Sequence, residues 1–438
     1  MGRELDVVVV GARCAGATFG AFAAQAGKRV LVVDADDMPS DQPLSTHFIG
    51  MYGMSILDEL GVGHRVRAVA PPVRFIRNGV DDAVITIDFG DERGGACIRR
   101  IDLDPMLVEE ARARGAAVEL KTSLVDVLRQ DGRVVGAVIE RDGAREEVRA
   151  RWVVGADGRH SKLASLVGAE EYLAYDAPRA AFWAYWRRPE WFSADPSYDN
   201  NVTILHLEHD YLMVFPVNKD EVLVGVAVPL DRASEWRGRH EAFYLEQLRA
   251  RPFVARFPDG ERRSKVVSFV KGRYFFRRAA GPGWALVGDA GLFKDFTPGF
   301  GITDAFRDAR ALAQAIEGGS DAHLERYWRV RDVESVELFA FARMLGTPGY
   351  NNALNRAAFR AIAERRDLQA RIIAFHERKL SPFALIPSGT AIGLLLGELF
   401  RGRFDAFPTF VDAVKEGGRS AKELRHRKAL AASVAQLP

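Results

Sequence analysis

Four consecutive valines, Val7–Val10, run directly into the glycine-bounded turn Gly11-Ala-Arg-Cys-Ala-Gly16, and this junction limits the possible folds more than any other stretch. An uninterrupted β-branched run reads as a parallel strand buried on both faces. After the turn, Phe19, Phe22, Ala23 and Ala26 fall on one side of a predicted helix, and Gly27 sits where a helix C-terminus wants glycine. A second apolar run, Arg29-Val-Leu-Val-Val33, ends at Asp34. Strand, glycine turn, helix, strand and terminal acid make up a dinucleotide-binding βαβ unit. Backbone N–H groups between Gly11 and Gly16, with the helix N-terminus, suit a pyrophosphate; Asp34 suits ribose hydroxyls and would repel an extra phosphate on that ribose. Arg13 stands where the fingerprint normally has its second glycine. Its Cβ must therefore point away or its guanidinium must meet the ligand, and we expect Arg13 to contact the cofactor.

Two later stretches end in the same way. Trp152-Val-Val-Gly-Ala-Asp-Gly158 is a short apolar strand closing on Asp157, with Ser161 placed to cap the next helix. Trp284-Ala-Leu-Val-Gly288 leads to Asp289, a loop broken by Pro298, Gly299 and Gly301, and then a helix. On that helix Ile302, Ala305, Phe306, Ala309, Ala313 and Ile316 share one face. Its N-terminus carries about half a positive charge. The glycines before it allow the backbone to approach a flat ring closely.

In this order and spacing the motifs resemble those of the FAD-dependent aromatic hydroxylase group, the single-component flavoprotein monooxygenases. The resemblance covers residues 7 to 316. It implies an α/β fold: a Rossmann-like FAD-binding domain of the glutathione-reductase type, an inserted antiparallel substrate sheet and a helical C-terminal region. It gives Asp289 a ribitol or ribose contact and sets Pro298, Gly299, Gly301 and Ile302 against the isoalloxazine. It associates Asp157 with both FAD and a visiting pyridine nucleotide. It places Arg100, first of an Arg-x-x-Leu-x-x-x-Leu pattern with Leu103 and Leu107, on FAD, and the Val125 backbone near adenine. One departure stands out. The group usually has an arginine in the loop after the second strand, whereas Pro43-Leu-Ser-Thr-His-Phe-Ile-Gly50 offers only His47, a candidate to face the ring as a donor or to serve as a hydrogen-bonded loop histidine.

At 438 residues two or three domains are expected. The FAD domain is assigned to 1–72, 97–178 and 265–345, the substrate sheet to 73–96 and 179–264, and a helical region to 346–438. The sheet segments are strongly aromatic. Phe182, Trp183, Tyr185, Trp186, Tyr211, Met213 and Phe215 are candidates for a pocket wall suited to a flat or apolar ligand, though alternate residues on each strand must face elsewhere. His206-Leu-Glu-His209 ends a strand and has no further His or Cys beside it, so no metal site is expected.

A net charge of +2 gives no electrostatic case for nucleic acid. Cys14 and Cys97 are the only cysteines, which fits a reducing compartment, and the chain enters its first strand with no room for a signal peptide. A cytoplasmic location is expected. Residues 383–400 are apolar but contain Pro387 and Glu398; they read as buried helix and turn, with a lipid-lined role or weak membrane contact as the minor reading beside the basic stretch Lys415 to Lys428. Self-association stays open.

The resemblance implies that NADH or NADPH reduces FAD, that dioxygen then gives a C4a-hydroperoxide, and that one oxygen enters an aromatic or apolar small molecule. The alternatives are a flavin-dependent reductase of polyprenyl (geranylgeranyl-type) chains and a non-catalytic lipid or protein carrier on the same fold. The tryptophan-rich motif of flavin-dependent halogenases is absent.

Overall fold

Residues 4–70, 72–90, 94–196, 198–403 and 423–434 are described by a computed structural model. The strand Glu4–Val10 lies inside a parallel array, with Val7–Val10 in register with Val30–Val33 on one side and Trp152–Gly155 on the other. Trp284–Leu286 adds beyond Ala144–Gly155, and Ala117–Glu119 beyond Val30–Val33, both parallel. An antiparallel pair, Thr122–Gln130 and Arg133–Arg141, extends this eight-stranded sheet from Ala144–Gly155.

Strand parity divides the valines between two cores. Val7, Val9, Val30, Val32 and Val154 pack with the helices Cys14–Gln25, Arg100–Ala113 and Gly301–Glu317. Val8, Val10, Leu31, Val33 and Val153 face Leu124, Ile139 and Leu163. Burial on both faces is why this run reads as continuous valine. Because the paired strands are parallel, their carboxyl ends open at the same edge, and Gly11, Asp34, Asp157 and Asp289 follow those ends.

A second, seven-stranded sheet runs in the order Val267–Phe269, Arg179–Arg187, Glu221–Pro229, Asp210–Val217, Asn201–Leu207, Phe75–Val80, Ala83–Asp88. Trp183, Tyr185, Tyr211, Met213, Phe215 and Leu223 lie on one face. Phe182, Trp186, Leu212 and Val224 lie on the other, packed with Trp236, Phe243 and Tyr244. The long helix Asp321–Gly346 leads to the shorter helices Ala353–Glu364, Arg366–His376 and Ser388–Phe400.

The expectation of a buried 383–400 segment is corrected. The helix Ser388–Phe400 turns Leu395 and Glu398 inward, the acid paired with Arg401 and Arg403, while Ile392, Leu396 and Phe400 are exposed, Phe400 at 90%. Among the described residues no helix is long and apolar enough to cross a membrane. Most of the basic stretch Lys415 to Lys428 lies outside the described residues; 423–434 is helical.

Buried histidines give the fold a pH dependence. Burial lowers His376, set against Phe300 and Phe375, to about 4. Burial, reinforced by the charge of Arg179, lowers His206 to about 3. Both folded values lie below the unfolded one, so the unfolded chain takes up more protons on acidification. Stability is full above about pH 6.5 and falls below it, by roughly 1 kcal/mol per histidine over the next pH unit. Urea unfolding of His376→Phe at pH 7 and 5.5 should show a loss smaller than wild type by about that amount; an unchanged pH dependence would contradict neutral burial.

Candidate functional site

The first turn admits only glycine at two of its positions. Gly11 has φ +101°, and a Cβ there would lie 2.5 Å from the Ala156 carbonyl oxygen. A Cβ at Gly16 would lie 1.8 Å from the Gly11 carbonyl oxygen. Asp34 spans this turn and the next: it accepts hydrogen bonds from the backbone N–H of Ala12 (2.7 Å) and of Asp36 (3.0 Å). Each carboxylate oxygen keeps a free lone pair for a ribose hydroxyl.

Arg13 has extended backbone geometry at the helix N-cap. Its guanidinium donates to Asp36 (2.7 Å), Ser40 (2.8 Å) and Asp104 (3.2 Å). Arg100 makes a bidentate pair with the same Asp104, at 2.8 and 2.9 Å. The second-glycine position is thus taken by a strap joining the loop after the second strand to the helix Arg100–Ala113. Cys14, at the start of the first helix, donates to Asp104 at 3.6 Å, and burial pushes its thiol up. Val125 falls at an irregularity in the pairing of its strand with Arg133–Arg141, where the register passes from Leu124 to Asp126 without it.

Asp157 caps the short helix Lys162–Leu166: it accepts from the Ser161 hydroxyl (2.6 Å) and from the Lys162 and Leu163 N–H groups (2.7 and 3.2 Å). Burial raises its carboxyl despite these bonds. Asp289 stands in the open cleft beyond Gly288, whose φ is +61°. Desolvation between protein walls raises it too, opposed by the charges of Lys294, Arg100 and Arg159.

The loop over Pro298 and Gly299 (φ +72°) packs on Phe48 and delivers Gly301 as the first residue of the helix Gly301–Glu317. Thr303 Oγ1 accepts the Gly50 N–H (3.2 Å), tying this helix to the segment after His47. Beneath it Asp304 gathers Lys294 (2.6 Å), Arg378 (3.1 Å) and Arg307 (3.4 Å), all buried or nearly so. Burial alone would raise Asp304, but these three cations hold it well below the usual carboxylate range.

Between this loop and the second sheet lies a partly open cleft of about 90 Å³, lined by Leu44, Ser45, Thr46, Arg159, Trp183, Met213, Leu223, Phe269, Asp289, Phe293 and Phe296. Of the aromatic-sheet candidates, Met213 and Trp183 line it. Phe182 does not, because strand parity sends it to the opposite face against Trp236 and Phe243. Tyr211 donates to the Thr297 carbonyl (3.1 Å) and Phe215 is core on the cleft-facing side, neither being part of the lining.

His47 is fully buried in a left-handed conformation (φ +61°), its Nε2 2.5 Å from the Tyr185 hydroxyl. Arg99 lies 3.7 Å over the Tyr185 ring. Burial, with the charges of Arg99 and Arg100 added, keeps His47 neutral. Phe293 and Phe296 escaped the sequence reading although they follow Asp289 in the same motif, and Arg159 escaped it one residue past Asp157-Gly158. Leu223 and Phe269 carried no sequence signal beyond apolar strand character.

These residues fit FAD. A turn closed to a Cβ at Gly11 and Gly16 leads into the first helix N-terminus, acids with spare lone pairs stand at the strand ends, and at Gly301 a Cβ would meet nothing within 4 Å. That last position separates cradle from core. Gly301→Ala should leave the unfolding midpoint of the FAD-free protein unchanged or slightly higher while weakening FAD affinity at least roughly tenfold in a fluorescence titration. Gly16→Ala should lower stability by about 1–3 kcal/mol as well. Equal FAD affinity in Gly301→Ala and wild type would place the cofactor elsewhere.

The profile of the FAD binding domain family matches residues 4–337. A 1H-pyrrole-2-carbonyl-(peptidyl-carrier protein) brominase of Pseudoalteromonas luteoviolacea is 28% identical, with 72% of this chain and 79% of that protein covered. A digeranylgeranylglycerophospholipid reductase of Methanocella arvoryzae is 28% identical, with 75% and 82% covered. A solved flavoprotein/dehydrogenase from Cytophaga hutchinsonii shares the fold, with a TM-score of 0.76 at 18% identity over 90% of this chain and 100% of that one. With about three-quarters of its length matched, the chain belongs to the FAD binding domain family, of aromatic-hydroxylase type, and is an FAD-dependent oxidoreductase.

Proposed function

We propose that this FAD-dependent oxidoreductase is a monooxygenase, with NADH or NADPH as reductant and an aromatic or similarly apolar small molecule as the substrate that receives one atom of dioxygen. The observation that carries this reading is the apolar cleft set between the late glycine loop and the second sheet. Bound FAD supplies the electron transfer and oxygen activation. The chain's own part is to hold, orient and exclude water.

Trp183 donates its Nε1–H to the Pro43 carbonyl (2.9 Å), which fixes the indole as a wall. Phe269, Phe293 and Phe296 add further apolar lining. The positive end of the helix Gly301–Glu317, braced by the Asp304 cluster, favours negative charge on whatever lies against it. Behind the cleft, His47 Nε2 and the Tyr185 hydroxyl meet in one hydrogen bond; burial keeps the imidazole neutral and the phenol protonated, so the pair orients the loop against the sheet.

A second reading, reduction of a polyprenyl chain, draws on the likeness to the digeranylgeranylglycerophospholipid reductase. Labelled dioxygen separates the two. The monooxygenase reading expects oxygen uptake stimulated by an aromatic compound, with label in the product; a saturated prenyl product formed without oxygen uptake would replace it. In Trp183→Ala, label incorporation should fall roughly ten- to a hundredfold while nicotinamide oxidation continues. Parallel loss of both rates would count against Trp183 as an orienting wall.

A further inference from the structure

Arg159 belongs to two cavities. It lines the cleft with Phe269, Phe293 and Asp289, and also an outer groove with His160, Ser161, Ser165 and Arg277. Its backbone follows Asp157-Gly158, with Gly158 at φ +76°, so the residue sits on a tight corner between sheet and capped helix. The guanidinium carbon stands 5.5 Å from the Phe269 ring centre and 5.6 Å from that of Phe293.

Its only side-chain hydrogen bond among the described residues is donated by Nε to His160 Nε2, at 3.0 Å. Among the described residues no carboxylate lies within ion-pair distance of it. Glu171, the acid of the outer groove, is already held by Arg273 (3.1 Å) and Arg277 (2.9 Å). Asp289 feels the charge of Arg159 without pairing to it, and stands where the cofactor is expected. Arg99, Arg100, Arg307 and Arg331, by contrast, all reach carboxylates.

A half-buried guanidinium facing aromatic rings, with both Nη groups unclaimed, is built to receive an oxyanion. Two parallel N–H groups match a carboxylate edge-on, and the surrounding apolar walls strengthen the pairing. We propose that Arg159 reads an anionic group on the substrate, so that the ligand of the cleft is an aromatic or apolar molecule bearing a carboxylate. The carboxylate enters past the outer groove and stops at Arg159, and the apolar body lies against Trp183, Met213 and Phe293. This rests on the reading of the cleft as the substrate site beside FAD.

The test uses the FAD-loaded full chain and follows the flavin absorption spectrum during titration with matched pairs: aryl and indolyl carboxylates, each against its neutral carboxamide. Wild type should bind the acids at least tenfold tighter than the amides, with the margin shrinking in high salt. Arg159→Gln should abolish the margin by weakening the acids alone, and Arg159→Lys should restore part of it, with FAD content and the KM for NADH and NADPH within twofold of wild type. Equal binding of acid and amide, or no binding of either at millimolar concentration, overturns the proposal. So does an Arg159→Gln variant that loses affinity for nicotinamide nucleotide, which would make Arg159 a contact of the reductant, or one that loses FAD. Failure of the acid preference in a holoprotein that still incorporates labelled oxygen removes this inference alone. A clear acid preference without oxygen incorporation removes the monooxygenase reading and keeps Arg159 as an anion receptor.

Discussion

Four parallel strands must stay in register for this site to exist. Val7–Val10 pairs with Val30–Val33 and with Trp152–Gly155, and Trp284–Leu286 extends the same array, so the chain leaves the sheet repeatedly at a single edge. The contact that locks this edge is between backbones. Gly16 rides on the Gly11 carbonyl, and Gly11 on Ala156, at separations no side chain would permit. Slippage of any one strand would move an acid away from the edge and bury polar groups among the valines.

Two buried carboxylates carry the positioning outward from that edge. Asp104 holds Arg13 and Arg100, and thereby the loop over Asp36 and Ser40 and the helix Arg100–Ala113. Asp304 holds Lys294, Arg307 and Arg378, and thereby the late loop, its helix and the C-terminal region. A buried charge left alone is costly, so removing Asp104 would strand Arg100 and removing Asp304 would strand Lys294 and Arg378, while Arg13 keeps Asp36 and Arg307 keeps Asp308. The site is therefore held from the helix-covered face of the sheet by groups outside the cleft lining. Arg159 differs from these cations in lacking such a partner, which is what sets it apart chemically.

Much of the fold was legible in the sequence because burial on both faces leaves an unmistakable valine run, and because only glycine satisfies the turns at 11, 16 and 299. The acids at strand ends were legible for the same reason: they follow apolar runs of strand length. Facing directions were not. Phe182 and Trp183 are neighbours with opposite destinations, and composition alone does not say which side of the second sheet meets the loop. The inward Glu398 was hidden as well, since its partners Arg401 and Arg403 become visible only once the helix is rotated into place. Arg13 is legible as the residue in the second-glycine position, but its bonds to Asp36, Ser40 and Asp104 depend on contacts distant in the chain.

The central claim is that one flavin dinucleotide spans the shared edge, from the turn at Gly11–Gly16 to the helix start at Gly301, with its ring system toward Trp183 and Met213. A crystal structure of the protein saturated with FAD tests this most directly. The account expects continuous density along that line, the adenosine end near Asp34 and the tricyclic end beside Asp289 and Pro298. Density lying outside the cleft, or a reversed cofactor with adenine against Phe293, would contradict it.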